Sequence, residues 1–187
     1  MNALVTDRRR LLTVGDFHKM GEAHILSEDD RVELIEGELI NMAPIGSMHA
    51  GYVTRLLRLF MQRVGDQAVV FVQNPIQLPP RNEPLPDITL LRPRPDDYTT
   101  GLPGPSDVLL VVEISDTTLA YDRDAKMPIY ARHGIPEAWV IDVNAKQVMV
   151  FLDPGQTGYQ RVLTLGQDAT ITLARLPSIF IHLADLW

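Results

Sequence analysis

Three charged side chains stand where the surrounding residues make charge expensive. Glu113 follows Leu109-Leu110-Val111-Val112 and precedes Ile114, inside the most apolar run of the chain. Removing an unpaired carboxylate from water costs several kcal/mol, so a Glu at this position needs a compensating cation or a proton. A structural ion pair with Arg or Lys, or a place at the exposed end of the strand, would serve equally well. Asp87 opens the run Ile88-Thr89-Leu90-Leu91 directly after Pro86. Proline cannot donate to a sheet ladder, which puts the Asp at a strand edge or bend. Two carboxylates from neighbouring strands can share one hard divalent cation and leave positions for water and phosphate. Lys126 falls on the segment after the Glu113 strand. A helix running back over the sheet would carry its ammonium to the strand end, to orient or deprotonate water or to neutralise charge on phosphate. The alternative for Lys126 is a surface pair with Asp122, four residues earlier on the same helix.

The elements that must position these groups are legible from periodicity. Residues 1–12 read as a loose leader. Thr13 is an N-cap candidate for a short helix to Leu26, with Phe17, Met20 and Ile25 as its apolar positions. Val32–Ile35 and Leu39–Met42 flank Glu36-Gly37 as a hairpin, with Gly37 supplying positive φ. Ser47 to Val64 is an amphipathic helix whose stripe is Val53, Leu56, Leu57, Phe60, Met61 and Val64. Residues 69–78 and 88–91 read as strands, and 92–107 as a long exposed loop. Val108–Ser115 has the all-apolar character of a central strand. A helix within about Ala120 to His133, closed by Gly134, must accommodate Pro128 in its first turns or kink there. Strands follow at 138–143, 147–152, 159–163 and 169–173. This order predicts an α/β (mixed α+β) fold with a mixed sheet, in one domain over 13–187.

Composition narrows the chemistry. The 187 residues carry 17 Lys and Arg against 24 Asp and Glu, a net charge of −7, which disfavours a broad phosphate-tracking surface and leaves a local basic patch open. The absence of cysteine excludes disulfides, thiolate catalysis and Cys-ligated zinc. No signal-like or membrane-spanning apolar run is visible, and the expected location is the cytoplasm.

The motifs in their order resemble the PD-(D/E)xK nuclease pattern with its lysine displaced, and more specifically the Uma2 family. The residues carrying the likeness are Glu33-Leu34-Ile35-Glu36-Gly37-Glu38, His49, Pro86-Asp87-Ile88, Val111-Val112-Glu113-Ile114-Ser115, Tyr121-Asp122-Arg123, Lys126, Tyr130-Ala131-Arg132 and the run Gly134 to Asp142. The resemblance implies a restriction-endonuclease-like fold, a mixed central β-sheet flanked by helices. It implies Mg²⁺ (with Mn²⁺ as a substitute) held by Asp87, Glu113 and the Ile114 carbonyl, with Asp87, Glu113 and Lys126 as the catalytic residues. Ser115 stands where the parent motif has lysine and cannot supply that charge; it shares a strand face with Glu113. Glu33, His49, Ser115 and Asp122 are accessory positions. His49 is read either as an aid to metal binding or proton transfer, or as a surface residue in the first turn of a helix capped by Ser47. Asp122 is expected to hold Lys126 in place. Glu137, Trp139 and Asp142 read as structural; Arg55, Arg58, Arg63 and the Arg92–Arg94 loop are candidates for phosphate contact, with a solvated face as the favoured reading.

The function expected on this basis is Mg²⁺-dependent endonucleolytic hydrolysis of phosphodiester bonds in DNA. Nucleic acid would be the partner, no membrane is involved, and a homodimer would suit cutting of both strands. A catalytically silent nucleic-acid-binding or assembly domain that retains the nuclease fold is the alternative. A metal-free carboxylate hydrolase of the glycosidase type is a further one.

Overall fold

The computed structural model describes residues 10–27 and 29–187, so the leader expected at 1–12 lies outside the described residues as far as residue 9. The chain divides into two compact units.

The smaller unit takes residues up to Ala43 together with Gln77–Pro84. Its helix α1 (Val14–Glu22) begins with a reciprocal cap. The Thr13 hydroxyl accepts from the Asp16 N–H at 3.1 Å, and the Asp16 carboxylate accepts from the Thr13 N–H at 3.0 Å. The helix stops at Glu22 rather than Leu26, because His24 turns left-handed at φ 54°. None of its residues is fully buried, and Ile25 is 66% exposed, so the expected apolar stripe covers little core. Strands β1 (Val32–Ile35) and β2 (Glu38–Asn41) form the expected hairpin. Both Glu36 (φ 50°) and Gly37 (φ 81°) take positive φ, the signature of the tight turn whose twist matches its strands. The 77–84 segment adds a bridge between Leu34 and Glu83.

The larger unit takes Pro44–Ile76 and Leu85–Trp187 and is built on a six-stranded sheet in the order β3-β4-β5-β6-β7-β8. Its strands are β3 (Val69–Val72), β4 (Ile88–Leu91), β5 (Val108–Ser115), β6 (Glu137–Asp142), β7 (Gln147–Gly155) and β8 (Gly158–Leu165). Only β5 and β6 run parallel; every other neighbouring pair is antiparallel, so the sheet is mixed as expected. A parallel pair needs a crossover. It is made by α3 (Leu119–Tyr121), a π-turn (Asp122–Lys126) and α4 (Met127–Arg132), which run on without a break. Helix α2 (Ser47–Val64) matches its expected bounds. Its inward residues Val53, Leu56, Leu59, Phe60 and Val64 pack with Leu110, Val112 and Ile114 of β5 and with Trp139 and Ile141 of β6. The hairpin β9 (Thr170–Leu173) and β10 (Leu176–His182) completes that core through Ile171, Leu173, Ile179 and Ile181.

Several expectations need correction. Met61 is 59% exposed, and Leu59 takes a buried place on the α2 stripe, because at 100° per residue the arc through Val53, Leu56, Phe60 and Val64 takes in Leu59 and leaves Met61 outside. The strand expected at 69–78 ends at Val72, since Gln73 adopts φ 50°. β10 was not expected at all. The loop at 92–107 is not wholly exposed: Tyr98 is buried, its hydroxyl donates to the Arg92 carbonyl at 2.7 Å, and the Arg94 guanidinium lies 3.9 Å from its ring centroid.

The Phe60 and Trp139 rings meet at 5.8 Å, and both side chains are wholly buried where α2 joins the sheet. Phe60→Ala is expected to lower unfolding free energy by about 3–5 kcal/mol, read as a fall in the urea midpoint; a loss below about 1 kcal/mol would contradict this account of the core.

Candidate active site

The β4–β5 register decides which groups meet. Ile88 lies opposite Val112, Thr89 opposite Val111 and Leu90 opposite Leu110. That ladder begins at Ile88–Val112, and Asp87 stands in the bend just before β4, outside it. Alternation along β5 sends Leu110, Val112 and Ile114 into the α2 core, so Val111, Glu113 and Ser115 point to the other face.

Asp87 is 8% exposed and held from three directions. Its Oδ2 accepts the Ile114 N–H at 2.8 Å and stands 3.0 Å from His49 Nε2; its Oδ1 accepts from Gln73 Nε2 at 3.2 Å. The turn at Gln73 that ended β3 early serves this end, because the Gln73 N–H also donates to the Asp87 carbonyl at 3.1 Å. His49, in the first turn of α2, is therefore an Asp87 partner and not a free surface residue. Its hydrogen bond to Asp87 raises the imidazole pKa above the ordinary 6.5; burial opposes this, and the charges of Asp87, Asp122 and Asp116 add to it.

Glu113 is 3% exposed in the central strand. Lys126 Nζ lies 3.3 Å from Oε1 and 3.4 Å from Oε2, and the Tyr130 hydroxyl donates to Oε1 at 2.5 Å. Lys126 is itself only 5% exposed, which overturns the reading of a surface pair with Asp122. The π-turn brings this about. Pro128 has no N–H and its ring would strike the carbonyl four residues back, so the helix widens by one residue just before it. The Met127 N–H accordingly bonds to the Asp122 carbonyl, and both Asp122 and Lys126 turn inward. Asp122 is buried, and its Oδ2 accepts from the Ser115 hydroxyl at 2.7 Å and the Thr118 hydroxyl at 2.5 Å. Ser115 thus fills the parent motif's lysine position and ties the strand end to the head of the π-turn.

The structure brings together Asp87, His49, Glu113, Ile114 and Lys126, with Ser115 and Asp122 beside them. Glu33 is buried in β1 of the smaller unit. Sequence reasoning missed Gln73, Thr118 and Tyr130 as partners. Tyr130 stands four residues after Lys126, a spacing that puts both on one helix face and could have revealed it. Gln73 had no such signal, since its role depends on a backbone turn inside an apparent strand. Glu137 and Trp139 are structural as expected: the Trp139 indole N–H donates to Glu137 Oε1 at 2.7 Å, and the Ala174 N–H to Oε2 at 2.7 Å. Burial raises the Glu137 pKa.

The donor set suits a hard cation, being two carboxylates and main-chain oxygen with no thiolate. Asp87 is balanced by an amide, a main-chain N–H and an imidazole that is charged only when protonated, and Asp122 by two hydroxyls. Among the described residues, no three His, Asp or Glu side chains converge as a ready-made metal cage. An ion at Asp87 and Glu113 would complete its shell with main-chain oxygen, water and substrate, the habit of Mg²⁺ rather than of a caged structural metal.

A mixed sheet flanked by helices, with Asp87 hydrogen-bonded to the residue after Glu113 and a lysine delivered by the crossover helix, fits the restriction-endonuclease-like class. The Uma2 profile, described as "putative restriction endonuclease", matches residues 14–184, and the chain belongs to that family. The fold is shared with a crystal structure described as a "putative nuclease belonging to DUF820" from Anabaena variabilis ATCC 29413. The two are 19% identical, with 94% of this chain and 97% of that one covered and a TM-score of 0.72. No curated protein matches the sequence significantly.

The His49–Asp87 contact has a signed pH signature. The folded-state pKa of His49 is raised, so its stabilisation is complete below the unfolded value near 6.5 and disappears as pH climbs through the folded value. In metal-free buffer, unfolding free energy should fall over that window in the wild type. His49→Gln should remove this component and leave the rest of the profile; an unchanged profile would refute the assignment.

Proposed function

We propose that the chain is a Mg²⁺-dependent endonuclease that hydrolyses phosphodiester bonds in DNA, with Asp87, Glu113 and Lys126 as its catalytic residues. The observation that supports this most is that Asp87 accepts the Ile114 N–H at 2.8 Å, one residue on from Glu113, whose carboxylate lies 3.3 Å from the Lys126 ammonium. Asp87, Glu113 and the Ile114 carbonyl are the groups proposed to hold the ion, with Mn²⁺ as a substitute. A cation bound there would supply Lewis acidity toward a phosphoryl oxygen and lower the pKa of water.

The remaining work belongs to the protein's own side chains. Tyr130 and Lys126 fix the Glu113 carboxylate between a hydroxyl and an ammonium, so its rotamer is set before substrate arrives. Gln73 and the Ile114 N–H do the same for Asp87. Lys126, buried and beside the acid, is positioned to orient a water for in-line attack and to offset negative charge on the transferring phosphate. Ser115 and Asp122 brace the strand end and the π-turn, and so act on Lys126 through the backbone.

A catalytically silent nucleic-acid-binding or assembly domain is the second reading. It is favoured by the lack of a three-residue metal cage among the described residues and by Ser115 in the parent motif's lysine position.

Plasmid cleavage with Mg²⁺ or Mn²⁺, paired with calorimetric metal titration, separates the two. Asp87→Ala should abolish both metal binding and cleavage. Lys126→Ala should keep metal binding and lose about 10²–10³-fold in rate, the scale of removing one transition-state contact. Metal binding without wild-type cleavage would support the silent domain. Equal cleavage by all three proteins would mean a contaminant and would sink the catalytic assignment.

A further inference from the structure

Glu113 is not the sole neighbour of the Lys126 ammonium. Lys126 Nζ also lies over the ring of Tyr121, 5.9 Å from its centroid. Tyr121 is half-buried and directly precedes the π-turn that Lys126 ends. We propose that Tyr121 is a positioning residue, the face of its ring holding the Lys126 ammonium in place beside Glu113; the inference rests on the nuclease reading above and adds how its lysine is aimed.

Three observations carry it. The first is helix geometry. Tyr121 and Lys126 are five residues apart. In a regular α-helix that spacing sets side chains about 140° apart around the axis. The π-turn instead joins residues five apart, as in the bond from the Met127 N–H to the Asp122 carbonyl, so side chains at this spacing stack on one face. The ring and the ammonium meet because the turn is widened. The second is the length of the ion pair. The Glu113 oxygens stand 3.3 and 3.4 Å from Lys126 Nζ, beyond the ~2.7–2.9 Å of a tight bond between charged groups. The 2.5 Å bond at this carboxylate comes from Tyr130 and fixes Glu113, not the lysine. A lysine ends in a compact charge on a flexible stem, so an ion pair of this length does not by itself set where the ammonium sits. The third is the chemistry of the ring. A cation within about 6 Å of an aromatic face is drawn to its quadrupole, more strongly where water is excluded, and Lys126 is only 5% exposed. The ring carries no net charge, so it leaves the positive charge of Lys126 whole for a phosphate. It also offers no oxygen anion to compete for a hard cation at Asp87 and Glu113, as a carboxylate in its place would.

The test reads the contact separately from cleavage. The chain has three lysines, Lys19, Lys126 and Lys146. Labelling lysine with ¹³C at Cε therefore gives a simple NMR spectrum, and the signal lost in Lys126→Arg is that of Lys126. In metal-free protein the ring current of Tyr121 should shift the Lys126 ε-protons upfield. Tyr121→Leu should move them downfield and leave Lys19 and Lys146 in place, whereas Tyr121→Phe should keep the wild-type position. Should Tyr121→Leu fail to fold, Tyr121→Met carries the same comparison. In plasmid cleavage with Mg²⁺, Tyr121→Leu should lower kcat about tenfold with KM near the wild-type value, and Tyr121→Phe should restore kcat. A merely structural role for Tyr121 would produce neither this split nor this rescue. The proposal is overturned if the Lys126 signal is the same in wild type and Tyr121→Leu, or if Tyr121→Leu and Tyr121→Phe cut alike. It is also overturned if Tyr121→Leu raises KM at unchanged kcat, which would make the ring a contact to DNA. Wild-type protein that shows the Lys126 shift but does not cut with Mg²⁺ would sustain the contact and defeat the nuclease reading. Wild-type cleavage with a Lys126 signal unmoved by Tyr121→Leu would do the reverse.

Discussion

A carboxylate in the middle of a sheet must be neutralised, and much of the larger unit is arranged around that requirement at Glu113. The side chain is 3% exposed on a strand whose eight residues are all buried. Leaving one charge of such a pair without its partner costs several kcal/mol. The ammonium of Lys126 and the hydroxyl of Tyr130 answer that cost, and both come from the crossover that the parallel β5–β6 pair makes necessary. The connection that closes the topology is thus also the element that delivers charge to the site.

The crossover helix shows how a local irregularity does work that a regular helix would not. Pro128 cannot fit a continuous α-helix without disturbing the turn before it. The widened turn at Asp122–Lys126 accommodates it, and burial of both Asp122 and Lys126 follows. The Ser115–Asp122 hydrogen bond then links the end of β5 to the head of that turn. Ser115 is thus a brace, and the ammonium beside Glu113 arrives from the helix.

Electrostatics divides the larger unit's surface as well. Its catalytic candidates are acidic, and the chain as a whole is acidic, which by itself repels a polyanion. Helix α2 carries three arginines and no carboxylate, and two of them are engaged within the chain, Arg63 by Asp185 and Arg55 by the carbonyls of Leu186 and Trp187.

Much of this was readable from residue order. The 3.6-residue period located α2 and the all-apolar run located β5 to the residue, and that setting marked Glu113 as a charge in need of a partner before any geometry was known. The tight turn at Glu36-Gly37 was equally plain. What the pattern could not supply was anything dependent on contacts between distant residues. The stop of β3 at Val72 comes from a left-handed Gln73 that serves Asp87, fourteen positions on. β10 has weak alternation and exists because β9 pairs with it. The partners Tyr130, His49 and Gln73 converge only once strand register and helix crossover are set. Local propensity and hydrophobic period act over a turn or two of chain, so the sequence alone determined the elements and the anomalous carboxylates. Which atoms face one another is a long-range matter of register and packing, and only the tertiary structure decided it.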